Sequence, residues 1–232
     1  VPIEYITGKA EFRGSIFLVN QNVLIPRIET EEIIELALQR IEDLESVTFC
    51  DIGTGSGVIG ISFSKELLRR KIPFHGYLSD ISRKALETAL LNAKNLLQDN
   101  SIVISYSKFS DKSQSGNSLS IFQSDILTNY SSKIKMDIIF ANLPYIPSSR
   151  IGTLDNSVKN YEPLSSLDGG EDGLNYVRKL LKHAADYLSK DGLVILEVDD
   201  THTNTHEFKD WEIEVRKDLN GKNRFWVCKL KG

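Results

Sequence analysis

Short apolar runs alternate with amphipathic stretches of helical period along most of this chain, and the first pair is joined by a glycine-rich loop. VTFCDI (47–52) reads as a buried strand, VIGISFSKELLRRK (58–71) as a helix, FHGYLSD (74–80) as a strand and SRKALETALLNAKNLL (82–97) as a helix. IVISY (102–106), SIFQSD (120–125) and MDIIFAN (136–142) read as further strands. GLNYVRKLLKHAADYLS (173–189) then reads as a helix and GLVILEV (192–198) as a strand. Apolar strands separated by helices need both faces of their sheet covered, so the alternation selects an α/β fold with a mainly parallel sheet. Near the end, WEIEVRKD (211–218) and RFWVCKL (224–230) flank Asn220-Gly221, a strong hairpin signal. A C-terminal antiparallel hairpin on a Rossmann-like sheet is therefore expected.

Residues 1–29 alternate apolar and polar around Gly8 and Gly14 and run to Pro26, which predicts an N-terminal β-hairpin and linker. Residues 30–232 are expected to form the main domain. Thr30 is placed to cap a helix over TEEIIELALQRIEDL, with acids in its first turn. Residues 107–118, rich in serine, read as a surface loop. A chain of 232 residues with 41% hydrophobic content can bury a full core without staples. A net charge of −4 argues against a sequence-blind nucleic-acid binder. Cys50 and Cys228 both sit in apolar runs and read as buried, which fits a reducing cytoplasm. No apolar run approaches the roughly 20 residues a membrane helix needs. Glu4, Lys9, Glu11 and Arg13 break any signal-peptide pattern.

The sharpest local signal is DIGTGSG (51–57), between a strand and a helix. Gly53, Gly55 and Gly57 allow a tight turn and close approach to a ligand, and the next helix offers free N–H groups. Thr54 and Ser56 lie between them, and Asp80, followed by Ile81, ends the next strand where a carboxylate can accept both hydroxyls of a ribose. Gly55 to Gly60 also satisfies G-x-G-x-x-G, so a dinucleotide is one candidate ligand. Asp51, closing the strand, would repel a pyrophosphate but suits a ligand carrying an ammonium and a sulfonium, which favours S-adenosylmethionine.

Asn142-Leu143-Pro144-Tyr145 closes the strand MDIIFA. Such a turn suits a planar, weakly nucleophilic N–H₂ group. The Asn142 side-chain oxygen and the backbone carbonyl at Pro144 can accept its hydrogens while the Tyr145 ring packs on it. A sulfonium methyl is already an activated electrophile, so positioning is the protein's main contribution. Arg27, Glu29 and Thr30 follow a strand and are expected to cover the methionine end of the cofactor. His202 and His206 have metal-ligand spacing, but on a β-branched, Asn-containing stretch they read as a solvated loop, and no metal is expected. Glu31-Glu32 read as helix-start acids and Asp199-Asp200 as exposed turn acids.

YITG (5–8), FRGSIFLV (12–19) and VLIPRIETE (23–31), with DIGTGSG, Asp80, NLPYIP and YEPLSSLDGGEDGL (161–174), resemble the protein-(glutamine-N5) methyltransferases of the HemK/PrmC family. The resemblance covers nearly the whole chain. It implies a class I S-adenosylmethionine-dependent methyltransferase fold, S-adenosylmethionine as cofactor, and a peptide-chain release factor as protein substrate, methylated on the glutamine of its GGQ loop. It also implies that Gly53–Gly57, Asp80 and Asn142 contact the cofactor. Asp125 and Ile126 would stand at its adenine pocket, and Asn142–Tyr145 would hold the glutamine. Leu143 stands where the family usually has Pro, Ile28 replaces a Pro, and Glu197-Val198-Asp199 replaces the usual E-I-G. N-L-P-Y is shared with rRNA adenine dimethyltransferases, so the tetrapeptide alone leaves methylation of a nucleic-acid exocyclic amine open. The acidic balance and the N-terminal motifs favour the protein substrate. The family's N-terminal helical domain has no counterpart in these residues, and a monomer is expected.

Overall fold

The computed structural model describes residues 1–106 and 116–232. The elements run α1 (Ile3–Thr7), β1 (Lys9–Phe12), β2 (Ser15–Leu18), a 3₁₀ turn (Ile28–Glu31), α2 (Glu32–Leu38), β3 (Val47–Ile52), α3 (Val58–Arg70), β4 (Phe74–Asp80), α4 (Arg83–Leu96) and β5 (Ile102–Tyr106). They continue with β6 (Asn117–Gln123), β7 (Met136–Ala141), two one-turn helices α5 (Ser148–Ile151) and α6 (Asn156–Lys159), α7 (Asn175–Ala184), β8 (Leu188–Glu197), β9 (Trp211–Lys217) and β10 (Asn223–Leu230). Eight strands form one sheet in the order β5-β6-β4-β3-β7-β8-β10-β9. All neighbours from β5 to β8 are parallel, and β10 joins β8 and β9 antiparallel. This is the expected α/β architecture, with its C-terminal hairpin at one edge.

Strand periodicity divides the core in two. Phe49, Ile138, Phe140, Leu193, Ile195, Phe225 and Val227 face one side, with α2 and α3 residues such as Ile33, Ile34 and Phe63. Cys50, Ile52, Ile139, Ala141, Val194, Leu196, Trp226 and Cys228 face the other, against Val177, Leu180 and Leu181 of α7. Phe63 meets Phe49 and Phe140 edge-on, each at 5.0 Å between ring centroids. Both cysteines are buried and free.

The N-terminal β1–β2 hairpin forms its own two-stranded sheet, yet Phe12 and Phe17 are wholly buried in the core shared with α2, α3 and β3. Asn92 of α4 holds its edge: Oδ1 accepts from Leu18 N at 2.7 Å and Nδ2 donates to Leu18 O at 2.9 Å.

Two local expectations need correction. The hairpin is preceded by α1, which five residues are too few to announce by periodicity; it ends at Gly8, whose φ of 70° closes the helix in the left-handed region. The predicted helix over residues 30–44 is a 3₁₀ turn followed by only Glu32–Leu38, and no side chain caps it. The C-terminal hairpin closes where expected: Asp218 N donates to Lys222 O, and the Asp218 carboxylate accepts from Asn220 N and Lys222 N. Of the serine-rich segment 107–118, residues 107–115 lie outside those described. Among the described residues no helix is long and apolar enough to cross a membrane.

Candidate active site

β3 and β7 are neighbours from which the strand order runs outward in opposite directions, and ligands of open α/β sheets bind outside the carboxyl ends at such a point. A cavity of about 420 Å³ lies there, within the range of small-molecule sites. Gly53, Thr54, Gly55, Ser56, Asp80, Ile81, Asp125, Ile126, Asn142, Leu143 and Pro144 line it. Asp51, Gly57 and Tyr145 are not among its lining residues and stand behind the wall.

Asp51 organises the glycine loop from beneath. Its buried Oδ2 accepts from Thr54 Oγ1 at 2.6 Å and from Gly60 N at 3.0 Å, while Oδ1 has no hydrogen-bond partner among the described residues. Burial pushes its carboxyl up to about 6, against the pull of the Thr54 and Gly60 hydrogen bonds. Asp80 receives Gly55 N on Oδ2 at 3.0 Å and Ser82 N on Oδ1 at 2.8 Å. A carboxylate offers about four acceptor sites, so one on each oxygen is left for a ligand. Burial raises the Asp80 pKa, and these backbone N–H groups oppose the shift.

Gly53 joins this loop to the tetrapeptide. Its φ is 70°, and a Cβ there would lie 2.9 Å from Leu143 Cδ2. Leu143 is itself buried, so the leucine that departs from the family pattern fills the space against the glycine loop. Asn142 follows β7 directly. Its Nδ2 donates to Glu197 Oε2 at 3.0 Å and to Thr30 Oγ1 at 3.3 Å. Its Oδ1 accepts from no protein group among the described residues. Tyr145 Oη donates to Glu197 Oε1 at 2.9 Å, and Thr30 Oγ1 donates to Glu197 Oε2 at 2.6 Å. Burial and the Glu197 charge hold the Tyr145 phenol well above its ordinary pKa, so it remains a donor. The Pro144 carbonyl lies against the Gly169–Gly173 turn, where a Cβ on Gly169 would come within 2.7 Å of it.

Thr30 is thus a cavity residue bound to Glu197 rather than a helix cap. Arg27 lines the cavity as well, and Glu29 is not among the lining residues. Arg27 Nη2 donates to Glu162 Oε1 at 2.6 Å, and the buried Glu162 also accepts from Ile25 N. The Tyr161–Leu174 run therefore helps build the wall, with Pro163, Ser165 and Ser166 lining the cavity. Ile126 adopts φ 53°, an uncommon conformation for a β-branched residue, in a turn fixed by Ser124 Oγ donating to Ile126 O. Asp125 is paired with Lys179 of α7.

Sequence reasoning singled out neither Glu197 nor Glu162. Glu197 was visible only as the matching glutamate of the Glu197-Val198-Asp199 run, and Glu162 only as part of the Tyr161–Leu174 run. Asp199 is buried and paired with Arg150 at 2.7 Å, not an exposed turn acid. His202 is buried rather than solvated: Nδ1 accepts from Asp199 N, and Nε2 meets Asp172 O at 2.8 Å. Among the described residues no group of three potential metal ligands is present.

No protein-family model matches the chain. Over 241 aligned residues it is 35% identical to the release factor glutamine methyltransferase of Bacillus anthracis, covering 100% of this chain and 77% of that protein. Among solved structures, it is similar to a methyltransferase from Pyrococcus furiosus with a TM-score of 0.58 at 16% identity, covering 93% of this chain and 88% of that one. A ribosomal protein L11 methylase from Lactobacillus delbrueckii gives 0.55 at 17% identity over 89% of this chain and 81% of that one. The fold is thus that of the class I S-adenosylmethionine-dependent methyltransferases. With Asn142, the glycine loop and Asp80 brought to one cavity, and with the whole chain matched at 35% identity to 77% of a relative, the chain belongs to the release factor glutamine methyltransferase family.

Proposed function

We propose that the protein transfers a methyl group from S-adenosylmethionine to the side-chain amide nitrogen of a glutamine in a peptide-chain release factor, in its GGQ loop. The names of its relatives support the substrate. The observation that carries the chemistry is Asn142, whose Nδ2 is committed to Glu197 and Thr30 and whose Oδ1 is left to accept.

The residues present fit S-adenosylmethionine. The cavity has the size of a small-molecule site, Asp80 offers acceptors for ribose hydroxyls, and Ile126 supplies apolar wall near Asp125. Asp51 is buried behind the glycine loop, where its carboxylate sets a negative charge that suits a ligand bearing a cationic group. When bound, the cofactor supplies a methyl group on a positively charged sulfur. The protein must then present the nucleophile. An amide nitrogen is weak because its lone pair is delocalised, so orientation supplies most of the rate. Asn142 Oδ1 and a backbone carbonyl of the tetrapeptide accept the two amide hydrogens, while Tyr145, behind the cavity wall, holds Glu197. A cytoplasmic setting belongs to the same reading.

Labelled S-adenosylmethionine with a release factor or with RNA tests the substrate. Label is expected in the release factor and is lost when the GGQ glutamine is changed to alanine. Label in RNA, or an undiminished rate on the altered factor, overturns the assignment. Asn142→Ala should lower the rate by about 10²–10³-fold, as removal of one preorganised partner of a reacting group commonly does.

A further inference from the structure

We propose that Glu197 is the positioning residue that locks the Asn142 amide with its carbonyl oxygen toward the substrate and polarises that oxygen. The inference deepens the methyl-transfer reading and rests on it. An asparagine can present either end of its amide. An N–H₂ turned toward a substrate N–H₂ would oppose two donors, so one orientation is useful and the other is not.

The surroundings select the useful one. Glu197 Oε2, 3.0 Å from Asn142 Nδ2, can only accept when ionised. Thr30 Oγ1, 3.3 Å from the same nitrogen, has its proton committed to Glu197 Oε2 at 2.6 Å, so toward Asn142 it too can only accept. Both neighbours demand the amide nitrogen. The second carboxylate oxygen is held by Tyr145 Oη at 2.9 Å, which fixes the carboxylate itself. Among the described residues three donors and no acceptor are hydrogen-bonded to the Glu197 carboxylate, a constellation built for an anion. Hydrogen bonds donated to a buried anion polarise the donor, which raises electron density on the far oxygen of the Asn142 amide. Topology supplies the neighbourhood: β7 and β8 pair in parallel with Ala141 opposite Leu196, so the next residue on each strand is Asn142 and Glu197.

The charged groups facing Glu197 are Arg224 from β10 and Glu29 from the 3₁₀ turn, with Tyr145 as the titratable donor. Burial raises the Glu197 pKa, and the Thr30 and Tyr145 hydrogen bonds and Arg224 oppose the rise. Protonation would give Glu197 a donor of its own and remove the demand for one Asn142 orientation, so kcat should show an acid limb.

Glu197→Gln keeps the shape but can donate or accept. The full-length variant should lose about 10- to 100-fold in kcat, with the release-factor KM and cofactor Kd held within about threefold. The acid limb of the wild-type kcat profile should be absent in the variant. The Asn142 side-chain N–H₂ resonances, assigned by their loss in Asn142→Ala, should move with pH in the wild type and shift on Glu197→Gln. Should circular dichroism show that variant unfolded, Thr30→Val should move the same resonances and lower kcat by about 3- to 10-fold. Resonances that stay in place, or that move while kcat is retained, overturn the proposal. Label entering RNA instead of a release factor would fail the substrate reading alone, because the resonances still report whether Glu197 holds Asn142.

Discussion

A buried carboxylate oxygen without a hydrogen bond is a cost that folding must offset elsewhere, and Asp51 Oδ1 is such an atom. Burial lifts the Asp51 carboxyl from the ordinary 3.8 to about 6, so the folded chain binds this proton more tightly than the unfolded chain does. The sign follows from linkage: stability from this group is highest below about pH 4 and declines as pH rises through 6. A shift of this size is worth at most about 3 kcal/mol. Asp51→Asn cannot ionise, so its stability relative to the wild type should rise from about pH 4 to about pH 7 and then level off. Urea unfolding of both proteins across that range checks this, and a stability difference independent of pH would show that Asp51 titrates alike in both states. The same substitution should weaken cofactor affinity, since the negative charge beneath the glycine loop is lost.

One helix residue ties three elements together. Asn92 in α4 is buried, accepts from Leu18 N, and donates to Leu18 O of β2 and Ser56 O of the glycine loop, the last two at 2.9 Å. Asn92→Ala strands these backbone groups and should cost about 2–4 kcal/mol, from an unmet-group penalty of roughly 1–3 kcal/mol each with partial rescue by water. A melting temperature within a degree of wild type would show that the hairpin edge is held some other way. The apolar runs of β3, β4, β7 and β8 were legible in the sequence because burial on both faces forces near-continuous apolar composition. The glycine loop and tetrapeptide were legible because each sits where such a strand ends. Asn92 was not, because its partners are up to 74 positions away and nothing in ALLNAKNL marks an asparagine that faces inward. Glu197 was hidden for the same reason: it serves Asn142, 55 residues earlier, and Thr30, 167 residues earlier. Short elements such as α1 escape because a single helical turn has no periodicity to read.

At the scale of the molecule, the cavity exists only when distant segments are assembled. Gln21 to Leu24 with Pro26, Arg27 and Thr30 form one part of its wall, the ends of β3, β4, β6 and β7 another, and Pro163, Ser165, Ser166 and Tyr176 a third. A ligand that binds this assembly and not the unfolded chain must therefore stabilise the hairpin, the sheet and the 161–174 run together. At a hundredfold excess over its Kd, such a ligand adds about 2.7 kcal/mol. For a chain of this length each kcal/mol moves the melting temperature by roughly 2–4 °C, so S-adenosylhomocysteine should raise it by about 5–10 °C in a single transition. Asp80 tests where that energy comes from. Each of its oxygens already accepts one backbone N–H, and each retains an acceptor site for a ribose hydroxyl. Asp80→Ala should lower the melting temperature of the free protein modestly, because the Gly55 and Ser82 amides lose their acceptor. It should also weaken cofactor binding by about 10- to 150-fold, the equivalent of the 1.5–3 kcal/mol typical of hydrogen bonds to a charged group. At the same ligand concentration the thermal shift should then shrink to about half or less. NAD serves as the control, since Asp51 beneath the glycine loop disfavours a pyrophosphate, and it should produce no shift in either protein. A full shift retained by folded Asp80→Ala would remove Asp80 from the ligand site. A shift with NAD and none with S-adenosylhomocysteine would replace the methyl-donor assignment with a dinucleotide, because the glycine loop alone is compatible with both.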